Sequence, residues 1–235
     1  MPAGASPTFV LPEKGGLERD PSRLASHKDL GLKDAAFMQS TVAMTVTAYQ
    51  TTAAVWVGVT LENVGAGHHV PTDSPLRNMI LVVNATDSQG RPLAQQAGST
   101  VPAWGGDPST VLRLRSGCSS GQGLAGQPGQ GYAKILQDVA TGEAPVASYW
   151  KQTRILSENR IPARGSDTTR YAFALPSGAG PAQITATLTF RRAFQALEQA
   201  KGWPASDLVM AQVATTAAAG RRVYAPLIAG SAGQG

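Results

Sequence analysis

The chain has 235 residues, of which 42% are hydrophobic and 15% charged, with a formal net charge of +5 and a single cysteine. One cysteine cannot close an intrachain disulfide, build a four-thiolate zinc site or attach a c-type haem covalently. The fourteen arginines and six lysines stand singly or in pairs without interleaved aromatics, so nucleic acid is not the expected partner, and no run of about 18 apolar residues predicts a membrane-spanning helix.

Residues 1–37 read as an irregular polar lead-in, punctuated by Pro12-Glu-Lys-Gly-Gly16 and Arg19-Asp-Pro21. They lack the basic and continuous apolar regions of a signal peptide, which taken alone predicts a cytoplasmic protein. From Thr41 to Thr47 the sequence alternates, with Val42, Met44 and Val46 on one face, as a half-buried strand requires. Ala53 to Val64 alternates again, with Val55, Val57, Val59 and Leu61 inward, and the polar break between the two segments predicts an antiparallel hairpin. After the loop Gly65 to Asp73, the nearly continuous apolar run Leu76 to Thr86 predicts a strand covered on both sides. Asp87-Ser-Gln-Gly90 is a turn, with a short strand expected around Arg91 to Leu93.

Residues 98–131 are rich in glycine, most densely from Gly117 to Gly131, and are expected to form a functional, mobile or inserted loop. Cys118 lies in that stretch without a nearby histidine and is expected to be an incidental thiol. Order is expected again at Tyr132 to Val139, at Pro145 to Leu156 and at Thr168 to Leu175. The cleanest alternation runs from Ala182 to Phe190, with Ile184, Ala186, Leu188 and Phe190 opposed to three threonines. Ala193 to Lys201 is the helix candidate, ended by Gly202 and Pro204. The fold class is therefore all-β: an antiparallel two-sheet sandwich of immunoglobulin-like type over 38–219, with one short helix, a Gly-rich insertion at about 105–131 and a flexible tail at 220–235.

The sequence carries no phosphate-binding loop, dinucleotide fingerprint, nucleophile elbow or His-Glu-x-x-His, so no enzyme is expected. Its one dense polar cluster is Asn63-Val-Gly-Ala-Gly-His-His-Val-Pro-Thr-Asp73, displayed between two predicted strands. Three roles are open. As a structural loop, Gly65 and Gly67 would supply unusual φ values, Pro71 an extended approach, and an imidazole would bond a backbone carbonyl. As a ligand loop, either His68 or His69 would bind a metal or haem iron, the adjacent ring pointing away and packing inward. A catalytic role, such as a metal-dependent hydrolase centred on His68 and His69, is the third. His27, isolated in a polar stretch, reads as a solvated side chain. Asp73, Asp87, Glu143, Glu158 and Asp167 fall at turns or strand ends, where side-chain bonds to backbone account for them. Tyr149, Trp150 and Trp104 form either a binding surface, as on carbohydrate-binding sandwiches, or core and edge packing.

The stretch Val59-Thr-Leu-Glu-Asn-Val-Gly-Ala-Gly-His-His-Val-Pro-Thr-Asp73, followed by Leu76-Arg-Asn-Met-Ile-Leu-Val-Val83, resembles the non-haem β-sandwich at the C-terminal end of multihaem c-type cytochromes of the cytochrome c554-like group. Tyr149-Trp-Lys-Gln-Thr-Arg-Ile155, Arg160-Ile-Pro-Ala163 and Ala186-Thr-Leu-Thr-Phe-Arg-Arg192 are similar to later segments of that family, and the Gly-rich middle is not covered. The resemblance implies a structural and docking module of an exported electron-transfer protein, periplasmic or extracellular, capping a haem edge. It implies haem c held by an upstream or partner cytochrome region, since this chain attaches none. It makes His27, His69 and His68 candidate axial ligands. The start Met1-Pro2 is similar to a family member cut just after its last Cys-x-x-Cys-His motif. The rival expectation is a secreted sandwich that binds carbohydrate or protein through the Gly-rich loop and the Tyr149, Trp150 and Trp104 surface, unrelated to haem.

Overall fold

A computed structural model describes residues 12–17, 34–72, 74–107, 111–112, 121–146, 148–203 and 207–219. The chain divides into two compact units, Met1–Met38 and Gln39–Gly235. In the first, a short 3-10 turn spans Pro12–Lys14, and Asp34 opens helix α1 (Ala35–Gln39) by accepting the Phe37 N–H at 3.1 Å.

The second unit is a sandwich of two five-stranded sheets. One has β1 (Val42–Gln50) and β2 (Ala54–Asn63) at its centre, with β9 (Ser166–Ala174) beside β2, the short β4 (Gln95–Ala97) at one edge and β12 (Ala218–Ala219) at the other. The other runs in the order β11 (Leu208–Thr216), β10 (Gln183–Arg191), β3 (Asn78–Thr86), β7 (Gly129–Asp138), β8 (Thr153–Glu158). A separate two-residue pair joins β5 (Val111–Leu112) to β6 (Gly121–Gln122). All pairings are antiparallel except β1 with β12.

The predicted faces hold where the alternation is strict. In β2, Val55, Val57, Val59 and Leu61 are buried, and in β10 so are Ile184, Ala186, Leu188 and Phe190, because a period of two sends every second side chain into the gap between sheets. β3 is central in its sheet, and its run from Asn78 to Val83 is buried without interruption. In β1 only Val42 is fully buried, while Met44 and Val46 are half-buried beside the two-residue edge strand. The 91–93 segment forms a single bridge at Pro92, and the strand lies later, at β4. Helix α2 (Gln195–Lys201) ends where Gly202 takes the left-handed conformation, φ 60°, and returns its N–H to the Gln199 and Glu198 carbonyls. β11 has no counterpart in the sequence reading.

The Gly-rich stretch contributes to the packing around Trp104. Trp104, in a 3-10 turn over Ala103–Gly105, packs edge-on against Phe194 with ring centroids 5.6 Å apart, and also lies against Ile80, Val82 and Val101. Trp104 is thus partly buried against the core, and its ring contact is with Phe194, not with the Tyr149–Trp150 pair. Its room comes from Gly131, where a Cβ would fall 2.4 Å from the indole. Cys118 lies outside the described residues, as do His27, Asp73 and the 220–235 segment.

Two aspartates pin loops as expected of turn carboxylates. Asp87 Oδ1 accepts the N–H groups of Gln89 and Arg91, and Oδ2 accepts Arg91 Nε at 2.6 Å. Asp138 accepts the Ala140 N–H, the Thr141 hydroxyl and the Lys151 ammonium. Burial favours the neutral acid at Asp87, but the Arg91 N–H and guanidinium outweigh it and hold its pKa below the usual carboxylate range. At Asp138 the Ala140 N–H, the Thr141 hydroxyl and Lys151 act in the same direction. A carboxyl whose folded pKa is depressed stabilises above its unfolded pKa of about 4, and that contribution is lost as pH falls through the folded value. The melting temperature is therefore expected to hold down to about pH 5 and to fall below about pH 4, with a shallower fall in Asp87→Asn. Parallel acid titrations of the two proteins by circular dichroism check this, and identical slopes would count against it.

Candidate functional site

The polar cluster falls at one end of the sandwich, where two loops meet. One is the β2–β3 connection, residues 64–77, and the other is the β8–β9 connection, residues 159–165. They converge because β2 and β9 are neighbours whose pairing ends at Glu62 and Ser166. Beyond it, Asn63 N–H donates to Gly165 O and Arg164 N–H to Asn63 O. Val70 and Ile161 exchange backbone hydrogen bonds of 2.8 and 2.9 Å, and both side chains are buried. Arg160 forks onto the Glu158 carboxylate with two bonds of 2.7 Å and reaches Pro71 O at 3.4 Å. The Arg160 guanidinium holds the Glu158 carboxyl below its ordinary range. The two sequence segments Asn63 to Thr72 and Arg160 to Ala163, more than eighty residues apart, thus build one structure.

Asn63 organises it. Its side chain is fully buried, and its amide nitrogen faces three carbonyls: His68 O at 2.8 Å, Pro162 O at 3.1 Å and Ile161 O at 3.3 Å. Its amide oxygen accepts the Ala66 N–H at 3.1 Å. One side chain that can donate and accept at once thus pairs the His68 carbonyl and joins it to the Ile161 and Pro162 carbonyls, which also accept the Val70 and Gly165 N–H groups. The sequence showed Asn63 at the head of the cluster but gave it no role. The available signal was its place at a position of β2 that should point inward, where a polar residue needs partners.

The glycines act differently from the expectation. Neither Gly65 nor Gly67 has a positive φ; Gly65 is required by space, since a Cβ there would lie 2.4 Å from Ser40 O. Val64 and Gly65 both donate their N–H groups to Thr41 O, drawing the loop against the start of β1. The Val70–Pro71 peptide is cis.

His68 and His69 are both exposed, and neither packs inward; Val70 takes that role. The loop is not an extended strand here, so the alternation argument does not apply. The two rings differ in one respect. His68 Nδ1 lies 3.0 Å from His69 O. A carbonyl oxygen only accepts, so this bond places the proton on Nδ1 and leaves the Nε2 lone pair free toward solvent. Among the described residues His69 makes no bond of this kind. Among the described residues no three His, Cys, Asp or Glu side chains are grouped to hold a metal ion. An imidazole fixed by a carbonyl at its second nitrogen is the form that ligates well, and haem iron would need only one such group from the chain.

Of the remaining carboxylates, Glu143 pairs with Lys151, and Asp167 does something the sequence did not show. Its Oδ2 accepts the Tyr132 phenol at 2.8 Å, tying β9 of one sheet to β7 of the other. Burial, and then the hydrogen bond to Asp167, push the Tyr132 phenol well above its ordinary pKa. Tyr149 and Trp150 sit edge to face at 5.0 Å in a turn before β8 and are 94% and 72% exposed, so they are not core residues.

The sequence matches no protein-family model and no curated protein. In three dimensions the chain is similar to a penta-heme cytochrome c552 from Thermochromatium tepidum, with a TM-score of 0.55 and 16% identity over 85% of this chain and 44% of that one. The chain spans less than half the length of that cytochrome. At this identity the likeness is one of fold.

Proposed function

We propose that the chain is a β-sandwich module of a multihaem cytochrome-type electron-transfer protein, exported to the periplasm or beyond. It serves structure and docking, capping a haem edge that belongs to a cytochrome region or subunit, and it carries no catalytic chemistry of its own. The fold shared with part of a penta-heme cytochrome supports this, as does the similarity of the Asn63 to Asp73 segment to the family motif. The observation that carries the ligand role is His68: its Nδ1 is committed to a carbonyl and its Nε2 is free, on a loop anchored by Asn63. His68 would thus hold the haem iron, with His69 and His27 as the other candidates. Bound haem would supply one-electron transfer; the chain supplies orientation and cover. With a single cysteine it does not attach the group covalently.

Titration of the protein with a haem-carrying peptide that has one open axial position tests the ligand role. A Soret shift to the six-coordinate position is expected for the parent and for His69→Ala and His27→Ala, and its loss is expected in His68→Ala. A shift that persists when all three histidines are replaced would overturn it. The module role carries its own expectation: the reading frame upstream of Met1, or a neighbouring one, encodes Cys-x-x-Cys-His motifs.

A further inference from the structure

The outer face of the first sheet, away from the gap between the sheets, has a hollow that follows from register. Side chains two apart on a strand share a face, and residues paired across strands lie side by side on it. Tyr49 of β1, Trp56 of β2, Ala172 of β9 and Ala97 of β4 form one row across the sheet. Thr47, Gly58 and Arg170 form the next, and Thr45, Thr60 and Thr168 the third. Gly58 stands at the centre without a side chain, and a Cβ there would fall 2.9 Å from Thr47 Oγ1. Residues of these rows line a groove of 410 Å³.

The banks of the groove differ in chemistry. On one side the Tyr49 and Trp56 rings are parallel, with planes within 10° and centroids 6.4 Å apart, and Trp56 is 40% exposed. Parallel rings offer a flat apolar face. On the other side are threonine hydroxyls. Thr60 and Thr168 share a hydrogen bond of 2.9 Å and Thr47 donates to Gly58 O at 3.4 Å, so each of these oxygens keeps a lone pair with which to accept. Arg170 is exposed beside Gly58, and its guanidinium makes no ion pair or side-chain hydrogen bond. Among the described residues no Asp or Glu lines the groove. Glu62, the nearest outward carboxylate of β2, lies two rows beyond Gly58. That is about 13 Å along the strand, more than a Debye length of about 8 Å. The charge of Arg170 is therefore not offset where the groove is.

A ligand that meets all three features has a flat carbon face, several hydroxyls and one anionic group. A pyranose bearing a carboxylate has them: its C–H face lies against the indole, its hydroxyls bond the threonines, and its carboxylate takes the two-pronged guanidinium. A planar aromatic acid leaves the hydroxyls unmet, and a neutral sugar leaves Arg170 unmet. We infer that this groove binds a uronic acid residue of an acidic glycan, with Trp56 as the stacking wall and Arg170 as the carboxylate clamp. The site involves neither the histidine loop nor the Tyr149–Trp150 turn, and it does not rest on the haem reading.

Calorimetric titration of the full chain with trigalacturonate, and with maltotriose as the neutral control, tests this. Saturable binding of the acidic trisaccharide is expected, with maltotriose at least about tenfold weaker. Arg170→Gln, a change at an exposed side chain, should remove that preference, and added salt should reduce it. Trp56→Ala should weaken trigalacturonate at least about tenfold. Gly58→Ala, which puts a methyl group into the hollow, should weaken it with an unchanged circular dichroism spectrum. His68→Ala should bind as the parent does. Failure of the parent to bind trigalacturonate overturns the assignment, as does equal affinity for the two trisaccharides or a preference that survives Arg170→Gln. Parent-like binding by both Trp56→Ala and Gly58→Ala would place the site elsewhere and overturn it too. Saturable binding of benzoate that trigalacturonate does not displace would give the groove to an aromatic acid, with the same result.

Discussion

Replacing Arg191 by leucine is expected to destabilise the sandwich by about 3 kcal/mol, the low end for breaking a buried ion pair. In a domain of this size that lowers the melting temperature by roughly 10 °C. The Arg191 side chain is 1% exposed, and its fork meets both oxygens of Asp207, Nε to Oδ1 at 2.8 Å and Nη2 to Oδ2 at 2.9 Å. The third nitrogen, Nη1, donates to Gly105 O at 2.6 Å. One side chain thereby joins the end of β10, the turn beneath Trp104 and the segment entering β11. Leucine restores the apolar volume but takes the Nη1 donor from the Gly105 carbonyl, which keeps the Leu124 N–H, and removes both prongs from the Asp207 carboxylate; the second loss dominates because a half-buried charge without its partner is the costlier defect. Adding Asp207→Asn should recover part of the loss, and Arg191→Lys less, since an ammonium cannot present the two-pronged fork. Thermal melts of the four proteins decide it. A fall of less than about 3 °C in the leucine variant would mean the pair is worth no more than a surface bridge.

The second large effect is expected at Asn63. Asn63→Ala removes four hydrogen bonds at once and leaves the His68, Ile161 and Pro162 carbonyls and the Ala66 N–H without that partner. A cost of about 3 kcal/mol follows. Asn63→Asp separates this from simple volume loss. At neutral pH a carboxylate there faces three carbonyl oxygens and should be at least as damaging as alanine. At acid pH the protonated form regains one donor, so the gap between Asp and Ala should change sign with pH. The functional readout is the open haem peptide: with the loop no longer held, the His68-dependent Soret shift should weaken at least about tenfold. A protein that melts normally and keeps its shift after Asn63→Ala would show that the loop is held by the Val70–Ile161 bridge alone.

Arg191 and Asn63 also mark where the sequence stops being informative. Arg191 stands in an Arg-Arg pair at the end of an alternating strand and reads there as surface charge. Nothing local distinguishes it from Arg192; only the fold brings Asp207 and Gly105 to it. β11 was missed for a related reason. Leu208–Thr216 is rich in Ala and Thr and only Met210 in it is fully buried, so the period-two contrast is faint. Trp104 was ambiguous because a tryptophan in a Gly-rich segment carries no periodicity that points inward. Its burial depends on Phe194, ninety residues on, and on the missing side chain at Gly131.

The histidine loop was half legible. Its position between two strands, and its likeness to a family motif, could be read directly. Which imidazole has its Nδ1 bonded to backbone could not, because that turns on His68 Nδ1 meeting the next residue's carbonyl in a turn held by Asn63 and by a segment near residue 161. The same holds for the exposed aromatics: Tyr149-Trp150 is as compatible with core as with surface until the neighbouring strand proves to be a bulged edge.

By itself the sequence determined what depends on near neighbours and on composition. The strict alternation of β2 and β10 set their inward faces, the uninterrupted apolar run of β3 set its central place, and a single cysteine set the limit on covalent haem. The tertiary structure decided everything that depends on distant partners. Hydrogen bonds and ion pairs act over about 3 Å, so whether Asn63, Arg191 or Asp167 is buried and paired or merely solvated depends on which remote backbone and side-chain atoms the two sheets carry to within that distance.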